Sequence, residues 1–319
     1  MCIRDRYYGQ HQGDSALCDK WYHKQLESTK QQSIIRKTKH AYALLSCRVR
    51  NSKSNDSLVV DLFEKTIKEL TKYKEQADSY TYWHYYYYLK TCLCEATGNY
   101  SDMIFYGLKG FEYFDQLPID HQSSKLAMIS QVVHGYNLNK QYTASIEYLP
   151  LLEELNGAEN NKDLFKMRIA CTLINLYRKN EAQELLESLS SDHTDVREKQ
   201  QLYLSYITHI PPPSHHPNDP YAMGIAEKIA TLYCDLSTGN TERHTHDYIC
   251  QYIRRHKIQK TREGIVIKMM SLLRYKGYDE RKFSPYFTLR TQLEKIKSKL
   301  TEVEILRYEK MVDELYVVC

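Results

Sequence analysis

The amino-acid sequence predicts an all-α fold built from antiparallel helical hairpins. Glycine occurs only 11 times and proline only 8 times in 319 residues, which leaves long segments able to hold helix. Apolar residues recur at spacings of three and four, the pattern that one face of an α-helix presents. The helical segments come in pairs joined by short polar turns. An all-β fold would need turn residues far more often.

The clearest pair of helices lies near the middle of the chain. Its first apolar stripe contains Leu126, Ile129, Val132, Val133 and Tyr136, and its second contains Tyr142, Ile146, Leu149 and Leu152. The next pair has stripes of Phe165, Ile169, Ala170, Leu173 and Leu176, then Ala182, Leu185, Leu186 and Leu189. Ser145 and Ala182 occupy matching places 37 residues apart. The spacing therefore predicts a repeated helical hairpin.

A third copy of the hairpin lies upstream, offset by 42 residues. Its stripes contain Tyr86, Leu89 and Leu93, then Ile104, Phe111 and Phe114, on either side of a Thr-Gly-Asn-Tyr turn at 97–100. Gly107 and Gly110 are small residues at positions where two helices would approach closely. The turn and the small residues favour a tightly packed hairpin here.

The small-residue pattern, the Gly-Asn-Tyr turn and the recurring pairs resemble tetratricopeptide repeats over residues 80–190. The resemblance implies a right-handed α-solenoid of degenerate, tetratricopeptide-like hairpins. Spacings of 37 and 42 residues exceed the family's usual length of about 34, and the proline that often closes a repeat is absent. A related helical-hairpin array is therefore an alternative.

The repeat array is predicted to occupy residues 7–210. It would include an earlier pair of helices at 34–49 and 57–73 with a turn at 52–56, a helix remnant at 14–28, and a further helix at 194–210. Residues 211–220 are predicted to form a Pro- and His-rich loop. Residues 221–319 would continue or cap the array with helices at 221–236, 243–256, 262–275, 286–299 and 302–316. Capping boxes are predicted at Asp195 with Glu198 and at Thr301 with Glu304.

Composition narrows the class of protein. The chain has 44 basic and 40 acidic residues, which give a net charge of +4. This excess of positive charge is too small to indicate a general polyanion binder. Nine scattered cysteines favour a reducing, cytoplasmic location over a disulfide framework. No run of 18 apolar residues is present, so the chain is predicted to contain no membrane segment. Residues 1–6, MCIRDR, resemble a translated sequencing adapter, so a lost signal or membrane segment upstream stays open.

The first helix of each tetratricopeptide hairpin lines a concave groove that holds peptides. The resemblance therefore implies that outward residues of these helices contact a ligand, and the candidates are Gln131, His134, Asn137, Arg168, Cys171 and Asn175. Arginine and asparagine could bind a peptide backbone or carboxylate. The aromatic segment 82–88 adds Tyr85 and Tyr88 as a possible stacking surface; alternatively, these rings pack on neighbouring repeats.

Other kinds of site find less support in the sequence. One basic cluster could bind nucleic-acid phosphates, and it consists of Arg254, Arg255, Lys257, Lys260 and Arg262. Alternatively, these residues form a solvated face, since basic residues are also favoured at helix C-termini. The histidines at 209, 215, 216, 244 and 246 and the cysteines at 92 and 94 lack the spacing of a metal site. No phosphate loop, nucleophile elbow or other catalytic or cofactor motif occurs.

The sequence therefore predicts a non-catalytic scaffold without a cofactor, which binds a protein or peptide partner in a groove between helical hairpins. One alternative is the sensor half of a peptide-responsive bacterial regulator. The Trp21-Tyr22 helix, the Tyr-rich repeats and the Gly-Asn-Tyr turn are similar to the peptide-sensing repeat domains of Rap- and Rgg-type regulators. A nucleic-acid binder that uses residues 254–262 is a further alternative, and a homodimer is possible.

Overall fold

The computed structural model describes residues 15–51, 56–155, 157, 159–190, 194–213, 222–240, 243–274, 285–296 and 307–318. Within these ranges the secondary structure is helical and no strand occurs. The predicted all-α fold is confirmed. None of the described helices is both long enough and apolar enough to cross a membrane. The predicted adapter segment 1–6, most of the 211–220 loop and the Thr301–Glu304 box lie outside the described residues.

The chain divides into two compact units, Met1–Met128 and Ile129–Cys319, with the boundary inside one helix. The helices up to that boundary are α1 (Ser15–Asn51), α2 (Asp56–Thr71), α3 (Tyr80–Thr97), α4 (Tyr100–Asp115) and α5 (Gln122–Leu138). Those that follow are α6 (Tyr142–Ile146), α7 (Leu151–Glu154), α8 (Glu159–Asn175), α9 (Lys179–Glu187), α10 (Thr194–Thr208), α11 (Ala222–Ser237), α12 (Arg243–Arg255), α13 (Arg262–Leu273), α14 (Pro285–Lys295) and α15 (Tyr308–Val318).

One hydrophobic cluster in the core of the first unit is built from α1, α2 and α3. Its buried members are Ile34, Leu45, Ile67, Leu70, Tyr82, Tyr86 and Leu89. Tyr86 and Leu89 were expected in the core, and this is confirmed. The Tyr82 hydroxyl donates to the Leu70 carbonyl at 2.8 Å, which satisfies its one polar atom inside the core. Burial raises the pKa of Tyr82 well above its usual value.

Helix α1 differs from the prediction, which divided this region into segments at 14–28 and 34–49. The structure has one 37-residue helix, Ser15–Asn51. The sequence between the two expected segments, Thr29–Ser33, contains neither glycine nor proline, so nothing in it stops a helix.

The predicted turn at 97–100 is present and has a defined hydrogen-bond pattern. Gly98 closes α3 in the left-handed region, with φ of 71°. Its N–H donates to the Glu95 carbonyl at 3.0 Å, and the Asn99 N–H donates to the Cys94 carbonyl at 2.8 Å. The Asn99 side chain then accepts from the Asp102 N–H and starts α4. This is a Schellman ending followed at once by a helix cap.

The same turn recurs at both predicted offsets. Lys140, with φ of 64°, and Tyr177, with φ of 62°, end α5 and α8 with the two bonds seen at Gly98. The Gln141 N–H donates to Tyr136 at 2.8 Å, and the Arg178 N–H donates to Leu173 at 2.9 Å. The residue five positions after each αL residue is fully buried, and these residues are Met103, Ser145 and Ala182. The 42- and 37-residue spacings thus mark equivalent places in three hairpins.

Opposite substitutions at equivalent turn positions are expected to change stability in opposite directions. Gly98→Ala should lower the free energy of unfolding by about 1 kcal/mol, because a Cβ is strained at positive φ. Lys140→Gly should raise it by about 0.5–1 kcal/mol, since the exposed Lys140 already carries that strain. Urea unfolding of both variants measures the effect, and two shifts of the same sign would contradict it.

Close helix approach at Gly110 is also present. A Cβ built there would lie 2.6 Å from the Met128 sulfur and 3.1 Å from the Tyr87 Cβ. Gly107 is buried on the same helix. A larger residue at 110 would displace the Met128 side chain, so packing favours a small residue here.

The second helix of the next hairpin was expected to continue from Tyr142 to Leu152, and this is wrong. It breaks into α6, a turn at 147–150, and α7. Pro150 lacks an N–H and disfavours helical geometry at Leu149, so the ladder of helical hydrogen bonds stops there. The Leu149 N–H bonds instead to the Ile146 carbonyl at 3.0 Å in a tighter turn.

Helix α15 is attached to the ends of α5 and α8. The Arg307 side chain, just before α15, donates to the Leu138 carbonyl at 3.4 Å and the Tyr142 hydroxyl at 3.0 Å. Lys310 donates to the Asn175 carbonyl at 2.6 Å and lies 3.5 Å from the Tyr177 ring centroid. Leu138 and Asn175 are equivalent residues, 37 positions apart. Two cations therefore cap two equivalent helix C-termini, where the helix dipole favours positive charge.

Candidate functional site

The six groove candidates on α5 and α8 are buried rather than outward-facing. Their exposed fractions are 3 % for Gln131, 6 % for His134, 1 % for Asn137, 7 % for Arg168, 6 % for Cys171 and 5 % for Asn175. The expected outward orientation is thus wrong in this structure. A role for these residues in binding a partner stays a prediction.

Hydrogen bonds between α5, α6 and α8 account for the burial of two of the candidates, Asn137 and Arg168. Asn137 donates to the Arg168 carbonyl at 3.0 Å and accepts from the Thr172 hydroxyl at 2.7 Å. The Thr172 hydroxyl also lies 2.8 Å from that of Ser145, and Arg168 donates to the Ser130 hydroxyl at 2.9 Å. A polar seam inside the bundle has the same sequence pattern as a polar groove, so spacing alone could not separate them.

Tyr85 and Tyr88 are half-buried, and both contact Tyr42 on α1. The Tyr42 ring centroid lies 4.6 Å from that of Tyr85 and 6.2 Å from that of Tyr88. Beside them, His84 lies 3.1 Å from the Ser124 hydroxyl, and burial lowers the pKa of His84. These aromatic residues pack on neighbouring helices, as the alternative interpretation held.

The predicted nucleic-acid patch is divided by the structure. Arg254, Arg255, Lys257 and Lys260 are exposed at the end of α12 and in the connection to α13. Arg262 is 5 % exposed, forms an ion pair with Glu309, and donates to the Leu293 and Ile296 carbonyls at 3.1 Å. Burial alone would raise the pKa of Glu309, but its hydrogen bond with Arg262 holds that pKa below the usual value. Arg262 is therefore not available to a phosphate.

The break at Pro150 lies beside a cleft of about 490 Å³ that the sequence analysis did not identify. Its lining comes from the segment around α7, from α8 and from α9, and consists of Leu149, Leu152, Glu153, Lys162, Lys166, Leu173, Glu181, Glu184, Leu185 and Ser188. Leu152 and Leu173 are buried, whereas Leu149 and Leu185 are half-buried and reach the surface. The volume is in the range of ligand pockets in proteins. The one sequence signal for it was a proline inside an apolar stripe.

Charged side chains surround the leucines of this cleft. Glu153, Glu181 and Glu184 are exposed and form what we call the acidic rim. Glu181 forms an ion pair with Arg178, whose hydrogen bond lowers the pKa of Glu181. Lys166 donates to the Ser188 carbonyl at 2.8 Å, which fastens its ammonium group to the end of α9. The cleft thus combines four leucines with an acidic rim and two lysines, one of which is tethered.

A second cavity, of about 740 Å³, lies beside α15. Its lining includes the cations Lys140, Arg290, Arg307 and Lys310 and the acids Glu294, Glu309, Asp313 and Glu314. Arg290 forms ion pairs with Glu294 and Asp313, while Arg307 and Lys310 cap α5 and α8. Burial lowers the pKa of Lys310, and Glu314 opposes that shift. Arg290, Arg307 and Lys310 thus connect α15 or the residue before it to α14, α5 and α8.

His246 on α12 is 1 % exposed, and neither of its ring nitrogens has a hydrogen-bond partner among the described residues. Burial and the nearby Arg274 cation lower its pKa to about 4, while Asp247 opposes the shift. Arg274 and Asp247 are themselves 3.8 Å apart. His246 is therefore a neutral, buried imidazole. Within the described ranges no three His, Cys, Asp or Glu side chains are grouped so that they could hold a metal ion.

Comparison with known proteins found no matching family model, no matching curated protein and no matching solved structure.

Proposed function

We propose that this chain is a non-catalytic module that binds a protein or peptide partner in the cleft between successive helical hairpins, α5–α7 and α8–α9. The observation that carries the proposal is the leucine-lined cleft at Pro150, with Leu149 and Leu185 reaching the surface. An apolar cleft with a few charged groups around it is the usual form of a binding site. The cleft lies between the second helices of the two hairpins and one side of α8, and none of the six groove candidates from the sequence lines it.

We further propose that the hairpins belong to a degenerate tetratricopeptide-like solenoid. The support is the Schellman turn that recurs at Gly98, Lys140 and Tyr177, each followed five residues later by a fully buried side chain. In such arrays, repeated units with local hairpin contacts supply binding surfaces without catalytic groups. The buried polar seam between α5 and α8 then serves to hold two hairpins in register.

Selection from a random peptide library tests the binding proposal. The library would be panned on the full chain, and the enriched peptides measured against two variants, Leu185→Glu and Leu108→Glu. Leu185 lines the cleft, whereas Leu108 is exposed on α4 and serves as the matched control. We expect the enriched peptides to lose at least about tenfold in affinity for Leu185→Glu, because a buried carboxylate would replace an apolar contact.

The control variant should keep its affinity for the same peptides, and circular dichroism should show that both variants are folded. Equal binding to both variants would place the peptides outside the cleft and would contradict the proposal. A library that yields no binder of the full chain would contradict it as well.

A further inference from the structure

The acidic rim indicates which kind of partner the cleft suits, and this step rests on the proposed function. Glu153 and Glu184 are exposed on opposite sides, on α7 and α9, and neither forms an ion pair with a described residue. Glu154 and Glu187 are exposed on the same two helices. The negative charge is therefore carried by both helices that border the cleft.

The lining has three exposed carboxylates and only two ammonium groups, both on half-buried lysines. Lys166 is half-buried, and its ammonium group is held at the end of α9 by the Ser188 carbonyl at 2.8 Å. Lys162 is half-buried and lies on α8, between the two acidic helices. Of the lining acids, Glu181 alone has a cationic partner among the described residues, and that partner, Arg178, lies outside the cleft lining. An incoming acidic segment would meet unpaired carboxylates at both edges, which is unfavourable.

We infer that the cleft binds a basic amphipathic helical segment of a partner protein. Leucine-sized side chains of that segment would lie against Leu149, Leu152 and Leu185, and its lysine or arginine residues would lie over Glu153 and Glu184. A helix presents apolar anchors at spacings of three and four with charges alongside, which suits an apolar cleft with a charged rim.

The preference of the cleft for a basic segment would arise from local charge rather than from the overall charge of the chain. The whole chain carries a net charge of +4, so long-range attraction does not favour a basic peptide. A measured preference for a basic segment must therefore come from a local acidic surface such as the rim.

Two synthetic helical peptides with the same leucine positions test this inference, one with lysine and one with glutamate at all polar positions. Fluorescence anisotropy at low salt would compare their binding to the full chain and to a double variant, Glu153→Lys with Glu184→Lys. We expect the lysine peptide to bind on the order of tenfold more tightly to the natural chain, and the preference to reverse in the double variant. Added salt should weaken the preference without abolishing apolar binding.

The outcomes separate this inference from the proposed function. If both peptides bind equally, or if the double variant leaves the preference unchanged, the basic partner is ruled out. If Leu185→Glu nevertheless abolishes the binding of both peptides, the proposed partner site in the cleft would be kept and only its preference for a basic segment would be rejected. Absence of binding by either peptide would overturn the inference, while library peptides that depend on Leu185 would decide the proposed function independently.

Discussion

Arg262→Met is expected to lower the free energy of unfolding by about 3–5 kcal/mol, because it leaves buried partners without their cation. The Arg262 side chain is 5 % exposed and that of Glu309 is 21 % exposed. The guanidinium also donates to Leu293 and Ile296 at the C-terminal end of α14. One substitution would therefore remove the cationic partner of Glu309 and a donor from each of two backbone carbonyls. Chemical denaturation at neutral pH measures the change.

A second arginine provides the matched control for this prediction. Arg178 forms an ion pair with Glu181 three residues away, and its side chain is 43 % exposed. Because solvent screens such a pair, Arg178→Met should leave the denaturation midpoint unchanged within error. A double variant, Arg262→Met with Glu309→Gln, should recover part of the loss, since it removes the stranded charge. Equal effects of the two arginine substitutions would contradict the assignment of Arg262 as a buried structural cation.

Acidification from pH 6.5 to pH 4 is expected to cost the second unit about 3 kcal/mol of stability through His246 alone. Burial lowers the pKa of this imidazole from 6.5 to about 4 in the folded state. The unfolded chain therefore takes up a proton near pH 6.5, whereas the folded chain resists it until pH 4. The stability contributed by the neutral ring is present above pH 6.5 and is lost as the pH falls toward 4.

Replacement of the ring isolates this contribution from that of the carboxylates, which titrate in the same range. His246→Phe keeps an aromatic ring and removes the titration. The variant should therefore lose about 3 kcal/mol less stability between pH 6.5 and pH 4 than the natural chain loses. Proton–carbon NMR of the His246 ring in the natural chain gives an independent reading, with an expected midpoint near pH 4. A midpoint near 6.5 would contradict the prediction, whatever the stability of the variant.

The local hairpin geometry was largely predictable from the sequence. The turn at Gly98, the close approach at Gly110 and the burial of Tyr86 all follow from residue types with strong local preferences. Lys140 and Tyr177 were less evident, because residues other than glycine seldom adopt positive φ. The turns that contain or border them were predicted from the breaks between the flanking apolar stripes.

The candidate site was less predictable, for physical reasons. Asn137 and Arg168 are polar residues that become buried because they bond to each other's helices, and a sequence does not show which polar atoms find such partners. The cleft depends on a helix break at Pro150, and the leucines beside it looked like ordinary core positions. Arg262 and Glu309 are 47 residues apart, so no local pattern connects them.

The attachment of α15 also bears on the order in which the second unit folds. Its bonds to α5, α6 and α8 join residues that are 135 to 169 positions apart in the chain. Hairpins such as α8–α9 close over a few residues, whereas these bonds require a very long loop to close first. We therefore expect docking of α15 to be among the late steps of folding. Its two cations then join the ends of two helices that form separately, so the last helix to dock completes the assembly of the hairpins that precede it.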